Sequence, residues 1–446
     1  MNQRNPAISR GIDWSLIWIF FVLVIIGLLA IFGATYKEDD PILQSFINFK
    51  TDYSKQFYFF VISLILGLFI LLTDSKFFSA TANIWYALGI FMLLLVFPFH
   101  SNIKGTESII KLGAFNFQPA EFCKICVALA LAKYLSRADT DFTRTKSQLI
   151  AAAIAIFPAV LTIMQKETGL ALVFCAFFLV MYREGLPSAV LVIGFATGSL
   201  VVATLLIEKT TLSLILTIIA LLVAYLMRRQ IKRRITVLVK IIFIWVISVS
   251  IILFAVPLVF KYVLKLYQVE RIYSTIGREV PAEYTAAHKK ELVSQVGKKK
   301  DTDYNVRQSK IAVGSGGFIG KGLLKGTQTR YGFVPEQRTD FIFDTIAEGF
   351  GFAGCFVLLC IYLLLLFRIV TISERQRSVF SRCYGYGVAA VFFFHIVINV
   401  AMAVGLAPVI GIPLPFISYG GTSLLTFTIL LFILVRLDAD RSMVLR

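Results

Sequence analysis

Charge is scarce in this sequence. Only 16% of its 446 residues are Asp, Glu, Lys or Arg, against about a quarter in ordinary water-soluble domains. Cysteine is sparse too. Cys123, Cys126, Cys175, Cys355, Cys360 and Cys383 lie nearly all in or beside apolar runs. The long polar stretch holds none, so no disulfide framework supports it. Cys123 and Cys126 make a C-x-x-C, but no second pair or nearby histidine completes a metal site. They read as two small residues within a helix. No cleavable leader is evident: the apolar run from Ser15 to Phe32 is too long for an h-region and lacks an A-x-A site. It reads as a first membrane helix. The short alternating strands of a membrane barrel are absent as well.

What is abundant is apolar surface: 58% of residues are hydrophobic and the mean hydropathy is +0.81. Apolar runs fall at 14–33, 55–73, 83–98, 119–135, 148–164, 168–182, 187–207, 211–227, 236–264, 345–367, 383–404 and 420–436. Many reach about 18 residues or more, enough to cross a bilayer. The fold class expected is all-α, a polytopic membrane helical bundle of about 10–12 transmembrane helices with a large extracytoplasmic loop. By topology the chain divides into N-terminal helices with charged cavity residues (1–265), the loop (266–344) and C-terminal helices (345–446).

The formal net charge is +18. Nucleic acid is not the partner this implies, because basic residues of membrane proteins collect on the cytoplasmic side. With the N-terminus inside, the inner loops receive Arg137, Arg144 and Lys146, then Arg228, Arg229, Lys232, Arg233 and Arg234, then Arg368, Arg375, Arg377 and Arg382. This places both termini in the cytoplasm and the loop outside. The loop's Lys289, Lys290, Lys298, Lys299 and Lys300 are no contradiction, since long loops translocate largely regardless of charge.

Polar groups interrupt the apolar pattern at a few places. In Gln118-Pro119-Ala120-Glu121-Phe122-Cys123-Lys124, Pro119 suits a helix start, and Glu121 and Lys124 share one face. Gln165-Lys166-Glu167 makes a tight outer turn. The stretch 399–423, with Pro408, Pro413, Pro415, Gly420 and Gly421, cannot be regular helix; such backbone must be buried or line a watery cavity. Gly314, Gly316, Gly317, Gly320 and Gly322 are spaced unlike a Walker loop, with Ser315 and Gly322 in the wrong places; a flexible amphipathic segment on the outer membrane face is expected instead. Then Asp340, Asp344 and Glu348 lead into another apolar helix. A carboxylate at a bilayer rim is costly unless something uses it.

Together these places resemble the SEDS family (shape, elongation, division and sporulation proteins). The resemblance rests on FQPAE-x-x-K at 117–124, QSKIAVGSGGFIGKGLLKGTQ at 308–328, VPEQRTDFIF at 334–343 and GLAPVIGIPLPFISYGGTS at 405–423. TDFIF after VPE is more similar to the elongation members than to the division members. The resemblance implies a peptidoglycan glycosyltransferase of a bacterial cytoplasmic membrane, which polymerises lipid II during elongation and works with a class B penicillin-binding protein that crosslinks the strands. A lipid II flippase, a division-specific polymerase and a scaffold for the penicillin-binding protein are the alternatives. No cofactor is obligatory, with a divalent cation (Mg or Mn) optional. The family's essential aspartate falls on Asp340, and its cavity-lining acid and lysine on Glu121 and Lys124. Arg338, Glu167 and Ser418 complete the expected substrate-binding set. Ser108 and Ile109 stand where most members have Arg-Trp, Gln165-Lys166-Glu167 where they have Q-P-D, and about two helices near 187–235 exceed the usual number.

Overall fold

The computed structural model describes residues 11–36, 42–47, 49, 51–103, 106–112, 115–264, 266–275, 280–287 and 302–442. The lysine-rich part of the loop lies outside them. Twelve long helical segments follow the apolar runs: α1 (Trp14–Thr35), α2 (Asp52–Leu72), α3 (Ser75–Phe99), α4 (Pro119–Leu135), α5 (Thr145–Met164), α6 (Thr168–Arg183), α7 (Ser188–Leu206), α8 (Lys209–Leu226), α9 (Ile235–Tyr262), α10 (Ile342–Glu374), α11 (Val379–Ala403) and α12 (Gly421–Ala439). Ten of the described helices are long and apolar enough to span a membrane; α4 and α6 are shorter. Local chemistry sets the ends. Asp13 caps α1 by accepting from Leu16 N, and Asp74 caps α3 by accepting from Lys76 N. Pro119 opens α4, where a missing N–H costs nothing.

By packing, the chain groups as Met1–Leu186 with Arg307–Arg446, and separately Pro187–Val306. These packing units do not coincide with the expected topological division into 1–265, 266–344 and 345–446, which was drawn on apolar runs and charge. In the first unit α4 and α12 are buried almost along their whole length. Cys123 and Cys126 are buried and unbridged, and their sulfurs lie against Gly89 of α3. In the second unit α7, α8 and α9 leave most of their apolar side chains exposed. Phe260, Tyr273, Tyr284 and Val256 form a small core of its own. Around Pro257, α9 loosens into π-helical turns at Ile251–Ala255 and Val259–Val263, as a residue without an N–H and with a clashing ring imposes.

A three-stranded antiparallel sheet joins α3 to α4: β1 (Ser101–Ile103), β2 (Thr106–Leu112) and β3 (Phe115–Phe117). These strands fall in the gap between the apolar runs 83–98 and 119–135.

The glycine-rich stretch has a definite role. Within α10 the backbone breaks at Gly351 (φ 63°, ψ −161°), a conformation for glycine alone. The break strands backbone groups of the helix, and the glycine segment satisfies them. Lys321 N donates to Glu348 O at 3.0 Å and Gly322 N to Gly349 O at 2.8 Å, while Phe352 N and Ala353 N donate to Gly317 O and Phe318 O at 2.9 and 3.0 Å. A Cβ at Gly316 or Gly320 would run into the Ala347 or Gly349 carbonyl. Glu348 adds side-chain bonds to Lys321 Nζ and to Thr329 N and Oγ1 at 2.8–2.9 Å. The expected flexible segment is therefore corrected to a pinned one. Its tip, Phe318 and Ile319, is still exposed and apolar.

Candidate active site

Asp340 sits two residues before α10. Glu336 takes a left-handed backbone (φ 57°), and its carbonyl accepts from Thr339 N and Phe341 N at 3.1 and 3.3 Å. Left-handed geometry in a non-glycine residue costs about 1–3 kcal/mol and persists only when surroundings enforce it. Here they do, through three consecutive carbonyls. Tyr419 N donates to Arg338 O at 2.8 Å, Ser418 Oγ to Thr339 O at 2.6 Å, and Asn399 Nδ2 to Asp340 O at 2.8 Å. The irregular stretch after α11 is thus stitched to the aspartate. The Asp340 side chain is half-buried, with Oδ2 3.5 Å from the place a Cβ on Gly411 (φ 72°) would occupy. A Cβ there would be in ordinary contact with the carboxylate, and it is the left-handed backbone that favours glycine.

That stretch is itself held in place. Asn399 Nδ2 also donates to Ile412 O at 2.7 Å, and Leu414 N to Ser418 Oγ at 2.8 Å. Gln56 of α2 bridges to Ser418 O and Gly420 N at 3.4 and 3.1 Å. Phe416 (φ 65°) is a second strained residue and Lys166 (φ 66°) a third. Phe49 (φ 51°) and Leu324 (φ 69°) share that backbone, so the strain is not confined to this region.

One turn below Asn399 on α11 lies His395. Lys124 Nζ is 2.8 Å from its Nε2 and 2.8 Å from Glu121 Oε2, and lies 5.2 Å from the centre of the Phe427 ring. His395 Nδ1 is 3.0 Å from Pro413 O. A carbonyl can only accept, so Nδ1 is the donor to Pro413 O and Nε2 is left to accept from the Lys124 amine. Glu121, Lys124 and His395 are all buried, and Glu121 Oε1 has no partner among the described residues. A charge pair so desolvated needs a third group to settle it, and the histidine is that group.

Glu167 accepts from Ser108 Oγ at 2.7 Å and Gln118 Nε2 at 3.4 Å. The two departures at Ser108 and Glu167 therefore meet in space, a short hydroxyl against a longer acid. Lys166 pairs with Glu107 of β2. Arg338 is half-exposed, pairs with Asp52 of α2 and lies 5.9 Å from the Tyr419 ring. Burial, with the Asp52 charge, pushes the Tyr419 hydroxyl up to about 12, so it remains a donor at neutral pH.

Of the expected residues, the structure ties Ser418 directly to the Asp340 segment and joins Glu121 with Lys124. The Arg338 backbone belongs to that same segment while its side chain turns to Asp52, and Glu167 lies apart with Ser108 and Gln118. His395 was missed, though a histidine four residues before Asn399 in an apolar run marks a shared helix face. Asn399 was seen only as the edge of an irregular stretch. Among the described residues no three His, Cys, Asp or Glu side chains gather as a metal site.

The family model FTSW_RODA_SPOVE, described as cell cycle protein, matches residues 13–240 and 210–443. Its two matches overlap within α8 and the start of α9. The chain is 29% identical to peptidoglycan glycosyltransferase RodA of Treponema pallidum, over 96% of this chain and 99% of that one. It is 28% identical to peptidoglycan glycosyltransferase MrdB of Escherichia coli K12, over 76% and 73%. Among solved structures it is similar to RodA of Thermus thermophilus (22% identity, TM-score 0.60, 97% and 98% covered). It is also similar to a chain of a peptidoglycan synthase complex that coordinates polymerization and crosslinking (22% identity, TM-score 0.65, 97% and 99% covered). By these matches along nearly its whole length, the chain belongs to the FtsW/RodA/SpoVE family of cell cycle proteins, the SEDS family.

Proposed function

We propose that Asp340 is the base of a glycosyl transfer that joins lipid II units into glycan strands. The chain is a peptidoglycan glycosyltransferase of the elongation type, like the relatives named RodA and MrdB. The observation that carries the site assignment is the triple anchoring of the 338–340 backbone, which holds a half-buried carboxylate at the outer end of α10.

Asp340 takes the proton of an acceptor sugar 4-hydroxyl. The freed oxygen bonds to the anomeric carbon of the donor sugar, and the bond from that carbon to the lipid pyrophosphate breaks. The electron pair leaves with the pyrophosphate, already a good leaving group, so a positioned base and nearby positive charge are the main needs. Lys124 supplies that charge when its contacts with Glu121 and His395 yield to phosphate oxygens. Ser418 and Asn399 hold Asp340 in register, which matters because small misplacements of a reacting group are costly. A class B penicillin-binding protein as partner is supported by the similar chain's place in a synthase complex. Cytoplasmic termini in a bacterial inner membrane are supported by the arginines at one end of the bundle, Arg368, Arg375 and Arg441 around Asp13 and Asp438.

Purified protein given lipid II in detergent tests this reading. Long glycan product is expected. Lipid II translocation in vesicles with no polymer under any condition would establish the flippase instead.

A further inference from the structure

Beside the Asp340 segment the outer surface opens into a cleft of about 660 Å³, between residues 330–338 and the ends of α1 and α2. Its volume is that of a small-ligand site. Its charges balance: Arg330 and Arg338 stand against Asp52 and Glu336, and Arg338 is already paired with Asp52. Tyr36 and Tyr331 add ring faces, Tyr331 being 70% exposed. Gln337 reaches Ala34 O through Nε2 at 2.8 Å, and its Oε1 has no protein partner among the described residues.

This lining discriminates among ligands. A pyrophosphate selects a surplus of cations, and lipid tails select apolar walls. Balanced charge, planar donors and acceptors, and exposed aromatic faces suit neutral sugar rings, whose hydroxyls both donate and accept. Resting on the glycosyltransferase reading, we infer that this cleft holds the sugar backbone of the growing strand beside the bond being made. A strand held there stays at Asp340 between additions; a strand that slips away ends short.

The test measures strand length from labelled lipid II with the full chain, compared at equal lipid II consumption. Arg330→Ala with Tyr331→Ala should shorten the mean strand by about threefold or more, the scale of one lost aromatic contact, and Tyr331→Phe should keep the wild-type length. Should the double variant not purify, Tyr331→Ala alone is read the same way. An unchanged length distribution in Tyr331→Ala overturns the assignment of the cleft. Wild-type protein that makes no polymer at all is a different result, which overturns the glycosyltransferase reading first.

Discussion

Asn399→Ala is the sharpest probe of how the reacting carboxylate is held. The side chain is fully buried, and its Nδ2 serves two carbonyls, Asp340 O at 2.8 Å and Ile412 O at 2.7 Å. Truncation leaves both acceptors unsatisfied, at roughly 1–3 kcal/mol each. Part of that loss relaxes by local movement, and such movement displaces Asp340. If about 2 kcal/mol reaches the transition state, the rate falls about thirtyfold, at 1.36 kcal/mol per decade. Thr428→Ala is the control, since that buried hydroxyl bonds only within α12, to Leu424 O at 2.8 Å; it should change the rate by less than about twofold. Single-turnover polymerisation of labelled lipid II at saturation reads the effect on the bond-forming step. Asn399→Ala at the full wild-type rate, in folded protein, would refute the idea that the backbone anchor positions the base.

Two further outcomes are expected. Lys124→Met strands the buried Glu121 carboxylate and should lower stability by about 3–5 kcal/mol; adding Glu121→Gln should restore the melting temperature but not polymerisation. A rescued activity would remove the lysine from the site. At the arginine-rich end, burial would raise the Asp13 carboxyl, but hydrogen bonds from Arg368, Ser15 and Arg375 overcome it and hold it well below 3.8. A depressed carboxyl stabilises the fold above its unfolded value and loses that contribution as the pH falls through the folded one. Asp13→Asn should therefore melt earlier than wild type, by about 2 kcal/mol of lost charge-assisted bonding. That gap should hold from pH 8 to 5 and narrow below about 4; a gap that is constant into acid would contradict it.

The helices were legible because runs of apolar residues long enough to cross a bilayer leave few alternatives, and Pro119 marks the start of α4 on local grounds. Asp340 was legible as a carboxylate where an apolar residue would be cheaper, and Ser418 only through the family motif at 405–423. What escaped depends on partners distant in sequence. His395 matters because Lys124 and Pro413 meet it from two other elements. The glycines of 316–322 are explained only by the break at Gly351, about thirty residues on. The three short strands at 101–117 carry too little local pattern to announce themselves, and the Ser108–Glu167 bond spans 59 residues. A one-dimensional pattern records which residues are costly to bury, but not which of them will meet.

The most direct measurement replaces one oxygen of the proposed base. Purified Asp340→Asn, with a melting curve matching wild type, is assayed for glycan made from lipid II. The account predicts loss of essentially all product, because the amide cannot accept the sugar proton while every backbone contact of residue 340 remains. Glycan strands formed at the normal rate by that variant would contradict it.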